Sequence, residues 1–175
     1  LGGTLDANGN NIQFDNSTGI ADQNNNAALE FQATASAVNE LTVTNAATGN
    51  APELSATGSD TNIDLNLTPK GYGLVTMNGG SKIQHIIEKA TVSATAATGT
   101  INYDVKTQAV LYYTSNASGN WTLNIRGDGT DALNDIMATG EAITVAHLVT
   151  NGGTAYYNSA VQVDGTGVTP EWQGG

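Results

Sequence analysis

QAVLYYTSNASGNWTLNIRGDG, residues 108–129, decides the fold class. Residues 108–114 and 121–126 are rich in β-branched and aromatic side chains. Trp121, Leu123 and Ile125 alternate with polar neighbours at period two, the pattern of a strand with one face buried. Between the two runs lies Asn116 to Asn120, and after them Gly127-Asp128-Gly129, both composed of turn formers. The adjacent pair Tyr112-Tyr113 fits a strand, where neighbours point to opposite faces. The stretch therefore reads strand–turn–strand–turn, with no helical spacing.

The same grammar extends over residues 81–175. Further strands are expected at His85 to Ala94, Thr100 to Val105, Ala142 to Asn151, Ser159 to Asp164 and Val168 to Trp172, separated by Ala97-Thr98-Gly99, Asn151-Gly152-Gly153 and Asp164-Gly165. Seven short strands with such turns predict an antiparallel β-sandwich or jelly-roll-like head. One short helix is expected from Thr130 or Asp131 through Ala138, with Leu133, Ile136 and Met137 on one face and Gly140 as its stop. Ile83, Ile86, Ile87 and Ala90 also fit helical spacing. The β-branched Thr91 and Val92 that follow favour a strand there.

Residues 1–80 are sparser. Short alternating units recur: Ile12 and Phe14, Leu29 and Phe31, Leu41 and Val43, Ile63-Leu65-Leu67, then Leu74 to Met77. Turn formers separate them at loose intervals, so no strict solenoid repeat is present. About 80 residues with so few large apolar side chains make a marginal core alone. Burying the stripes between chains solves this, and the expectation is a trimeric intertwined β shaft, β-prism- or β-helix-like, over 1–80. The alternative is a small monomeric β-domain packed on the second half. The boundary is set at Asn78 to Ser81, the strongest turn cluster mid-chain.

Composition limits the function. The chain has 175 residues, net charge −11, no cysteine, 21 Gly, 20 Asn and 24 Thr. Without cysteine there is no disulfide framework, thiolate metal site or Cys nucleophile. Five Lys and Arg against sixteen acids argue against nucleic acid and against an anionic membrane surface. No apolar run reaches the roughly 18–20 residues of a membrane span. The acids divide evenly: residues 1–80 carry eight against one lysine, and residues 81–175 eight against four bases. The first residue is Leu1 rather than Met, so a processed or trimmed chain is expected.

GSDTNIDLNLTPKGYG, residues 58–73, resembles a segment common in the shafts of phage tail fibres and other virion fibres. VLYYTSNASGNWTLNIRGDG (110–129), MATGEAITVAHLVTNGGTAYYN (137–158) and VQVDGTGVTPEWQGG (161–175) resemble a C-terminal module of marine cyanophage structural proteins. Together the segments cover 73 of the 175 residues. The resemblance implies a virion-surface component: a trimeric fibre, on tail or capsid, with a shaft and a β-rich head. Its partners would be two further copies, other virion proteins, and a host-surface glycan or protein. In the similar proteins the chain continues past the Trp-Gln-Gly-Gly segment, so truncation at the C-terminus is expected. Host attachment is the function this implies. The alternative is a capsid-surface decoration or head-fibre protein without a receptor role, and the remote alternative is a polysaccharide depolymerase.

No enzyme is expected. His85 and His147 have no acid or hydroxyl constellation at useful spacing, and no nucleophile elbow, zinc motif or phosphate loop occurs. For a glycosidase pair the best acids are Asp128, Asp131, Asp135 and Glu141, although Asp at a helix start is ordinary capping. Gly127 to Asp131 lacks the spacing of a calcium loop, and the reading is a turn with a cap, a calcium ion shared between chains being the alternative. No catalytic, cofactor or metal residue is assigned. For contact with a receptor or glycan the candidates are Tyr113, Tyr157, Asn158 and Trp172, aromatic rings and an amide suited to stacking on and bonding a sugar. Each ring has an equally simple reading as core or inter-subunit packing.

Overall fold

The computed structural model describes residues 7–171, and Trp172 lies outside them. Its chain forms two compact units, Leu1–Leu67 and Thr68–Gly175. Residues 68–80, on the shaft side of the boundary expected from sequence, belong with the second unit.

Unit 1 consists of two hairpins. β1 (Thr18–Ala21) pairs antiparallel with β2 (Ala27–Phe31), and β3 (Asn39–Thr44) with β4 (Glu53–Gly58). Asp22 closes the first turn, its Oδ1 accepting the backbone N–H groups of Asn24 and Asn26, each at 2.9 Å. The alternating residues 63–67 and 74–77 form no strand, and β4 was not expected, because Leu54 is its only large apolar residue. No described residue of unit 1 is buried.

Unit 2 contains β5 (Ala90–Ala96), β6 (Gly99–Asp104), β7 (Val110–Ser115), β8 (Trp121–Arg126), β9 (Ala146–Val149), β10 (Asn158–Val163) and β11 (Thr166–Val168). From β5 to β10 consecutive strands alternate between two sheets. One has the order β5-β7-β9, the other β11-β10-β8-β6. Every ladder is parallel except the β10–β11 hairpin. The antiparallel head expected from the sequence is therefore corrected. All-β character holds, while the strand pairing is that of stacked arches, β5–β6, β7–β8 and β9–β10.

The corners explain this. Only Ala97 and Thr98 separate β5 from β6, a length that normally closes a hairpin. Here Ala97 is fully buried as the inner lining of an arch, and Gly99 takes φ +60° to turn the chain into the other sheet. The next arch repeats the arrangement with Ala117 inside. The corners hydrogen-bond to one another: Ser118 N donates to Ala97 O at 3.1 Å, and Ala117 N to Thr150 O at 2.8 Å. Two-residue alternation is the same for parallel and antiparallel partners, so the sequence pattern does not distinguish them.

Inward residues of both sheets share one core: Ile101, Tyr103, Trp121 and Leu123 from β6 and β8, and Leu111 from β7. Tyr103 is fully buried, and its hydroxyl donates to Ala109 O. The expected short helix shrinks to one turn of 3-10 helix, Leu133–Asp135. Its surroundings are tight. A Cβ at Gly127 would lie 2.5 Å from Asp131 O and 2.7 Å from Ile136 Cδ1. Both oxygens of Asp164 accept the Leu133 N–H, at 2.8 and 2.9 Å. The strand expected from His85 starts at Ala90.

Candidate functional site

The most distinctive surface of unit 1 is the hairpin β3–β4. Its register places Leu41 opposite Ala56 and Val43 opposite Leu54 on one face, and Glu40 opposite Thr57 and Thr42 opposite Ser55 on the other. In a lone hairpin packed on its own chain the apolar face turns inward. Here the large apolar side chains are left uncovered. Thr42, Ser55 and Thr57 are half-buried, with the Thr42 and Thr57 hydroxyls 2.6 Å apart, while Leu41 is 59 % and Val43 77 % exposed. On β1–β2 the row is Ile20 opposite Leu29 and Thr18 opposite Phe31, with Phe14 stacked on Phe31 at 4.8 Å and 19°. Ile20, Leu29 and Phe31 are exposed as well.

The residues nominated for contact do not form one site. Tyr113 faces inward and packs against the core, its ring edge-on to His147 with centroids 5.8 Å apart. Its neighbour Tyr112 is the ring that faces out. Tyr157 is 61 % exposed. Its backbone is fixed on both sides: Tyr157 N donates to Asn120 Oδ1 at 3.1 Å, and its carbonyl accepts from Trp121 N at 3.2 Å. The Asn158 Oδ1 accepts Leu123 N at 3.2 Å. Asn151 bridges the Tyr156 backbone with both side-chain atoms. This loop end thus presents one exposed ring, Tyr157, on a backbone held from both sides.

The acids considered for catalysis or calcium are likewise engaged. Asp128 Oδ1 accepts Thr130 N at 2.7 Å and Asp131 N at 2.9 Å, while its Oδ2 meets Lys106 Nζ at 2.9 Å. Asp131 also pairs with Lys106 and accepts the Tyr72 hydroxyl. Asp135 accepts Ala132 N and Glu141 accepts Ala138 N. The Lys106 ammonium, with these amides, holds the Asp128 carboxyl well below the usual carboxylate range. Lys106 is also what lowers Asp131. The Asp131 bond raises the Tyr72 phenol. The sequence flagged these acids but not Tyr72 or Lys106, which lie 59 and 25 residues from Asp131.

A cleft of about 350 Å³ opens beside Tyr103, Val105, Gln108 and Ile143, with Lys89 at its edge. Among the described residues no group of three His, Cys, Asp or Glu is placed to hold a metal ion, and no helix is long and apolar enough to cross a membrane. Compared with known protein families, curated proteins and solved structures, the chain matches none.

Proposed function

We propose that the chain is a structural component of a bacteriophage fibre, assembled as a homotrimer. Unit 1 serves as the shaft and unit 2 as the head. The observation that carries this reading is the hairpin β3–β4, whose large apolar side chains Leu41, Val43 and Leu54 all lie exposed on one face. An isolated two-stranded hairpin is marginal in water. Full burial of a Leu or Val side chain contributes about 1.5–3 kcal/mol, and further copies of the chain supply the cover. The resemblance of residues 58–73 and 110–175 to virion fibre segments supports the same reading.

The role is mechanical and multivalent rather than enzymatic. A head held away from the particle in three copies raises avidity through several weak contacts. Tyr157 is the ring best mounted for such a contact with a host-surface glycan or protein.

Labelling purified virions with an antibody against the chain tests the assignment. Label at fibre tips is expected. Uniform label over the shell would transfer the chain to the decoration reading. Absence of the chain from virions would overturn both.

A further inference from the structure

One nearly buried side chain of unit 2 carries a donor that nothing in the chain meets. Gln108, between β6 and β7, is 9 % exposed. Its Oε1 accepts the hydroxyls of Thr91, at 2.9 Å, and Thr107, at 2.7 Å. These two bonds fix which way the amide points. Its Nε2 has no acceptor among the described residues and opens on the cleft that Gln108 lines. A buried donor left in this way is costly, and most buried donors are satisfied.

The cleft, about 350 Å³, lies at the end of the two sheets away from the arch corners. Its walls come from the residue before β5, the β6–β7 connection and the segment entering β9. Val105, Ile143, Val145 and the Tyr103 ring make them mainly apolar. The charges are lopsided. Two of the chain's five bases, Lys89 and Lys106, line the cleft, and none of its sixteen acids does. Two further clefts of unit 2 are lined by an acid instead, Asp164 in one and Glu141 in the other. The Lys106 ammonium is taken by Asp128 and Asp131. Lys89 has no ion pair among the described residues, which leaves it as the cation of the cleft.

We propose that this cleft binds a small carboxylate. One carboxylate oxygen accepts the Gln108 Nε2–H, Lys89 meets the charge, and the carbon body of the ligand lies against Val105, Ile143 and Val145. The inference is independent of the fibre reading. The volume is at the lower end of small-molecule pockets, about 300–1,000 Å³, so the cleft takes one ring-sized or shorter acid rather than a chain segment. A neutral carbonyl would satisfy Gln108 and leave Lys89 unused. A phosphate would bring more charge than one ammonium meets and no apolar body. Such a carboxylate comes from an acidic sugar or from a free aliphatic acid.

The test is a titration of the nitrogen-labelled full chain, followed at the NMR signal of the Gln108 side-chain amide, assigned through its contacts with Thr91 and Thr107. The probes are glucuronate for the sugar, butyrate for the aliphatic acid and methyl glucoside as the neutral control. A saturable shift of the amide with at least one acid is expected, the tighter of the two naming the source. Lys89→Gln, an exposed change, is expected to weaken binding about threefold, the order of one exposed charge pair. Gln108→Glu keeps an acceptor for both threonine hydroxyls but turns a carboxylate toward the ligand, and is expected to weaken binding at least about tenfold. Lys89→Gln decides even where Gln108→Glu fails to fold. No shift with either acid up to its solubility overturns the inference. So does methyl glucoside binding as tightly as the acids, or Lys89→Gln binding as tightly as the wild type. The oligomer mass is read separately, so none of these outcomes touches the fibre reading.

Discussion

Trp121 and His147 meet edge to face on opposing sheets, ring centroids 6.0 Å apart at 87°, and the Nε1 of one and the Nε2 of the other are buried without a hydrogen-bond partner. Burial lowers the His147 pKa below its ordinary 6.5. Below that value the unfolded chain takes up a proton that the folded chain refuses, so the stability of unit 2 falls as pH drops from the ordinary value toward the lowered one. Denaturation midpoints measured from pH 7.5 to 5 should show this slope, and His147→Gln should flatten it. An equal slope in both chains would contradict the placement of His147.

Asp128 titrates in a different window. Its folded-state pKa lies below the 3.8 of a free Asp, so its contribution is complete above that value and is lost as pH falls further. Asp128→Asn should remove part of the acid sensitivity below pH 4, and leave the slope between pH 7.5 and 5 as it is in the wild type. The same midpoint series, extended to pH 2, checks both.

Tyr103→Phe keeps the ring in the core and removes the bond to Ala109 O. Ala109 O keeps the Ala146 N–H at 3.4 Å, so the loss is that of one ordinary hydrogen bond, about 0.5–1.5 kcal/mol. Leu123→Ala, in the same core, should cost more, about 2–5 kcal/mol. Urea midpoints at pH 7.5 rank the two, and Leu123→Ala emerging as the milder would contradict the arch-lined core.

Asn124 is 6 % exposed and uses both side-chain atoms, donating to Asn102 and accepting Gly165 N at 2.8 Å. Asn124→Ala should destabilise by about 1–3 kcal/mol. It should also speed amide exchange at Gly165, the turn between β10 and β11, more than at β6. Uniform acceleration would mean that the ladder does not anchor this turn.

The all-β class was legible because period-two alternation and turn clusters are local properties, as in Trp121, Leu123 and Ile125. Parallel pairing was not, because it depends on whether a two-residue corner such as Ala97-Thr98 closes a hairpin or lines an arch. That choice is made by burial of Ala97 and by stacking on Ser118, a contact across 21 positions. Residues 63–67 alternate as clearly as β3 does but have no partner strand, whereas β4 has a weak pattern and a good partner in β3. Tyr112 and Tyr113 had to face opposite ways, and only the core on the Tyr113 side decides which one faces out. The exposed hairpin was legible in part. Leu41 and Val43 signalled a stripe, and its exposure became visible only once β4 paired with β3 and no other strand joined them.

In the proposed fibre, other copies of the chain cover the apolar face of β3–β4. Light scattering on a sizing column, run on the wild type and on Val43→Lys over a hundredfold range of concentration, tests it most directly. A wild-type mass near three times 17.9 kDa that persists on dilution is expected, with a Val43→Lys chain that dissociates. A wild-type chain that stays at 17.9 kDa throughout would contradict it.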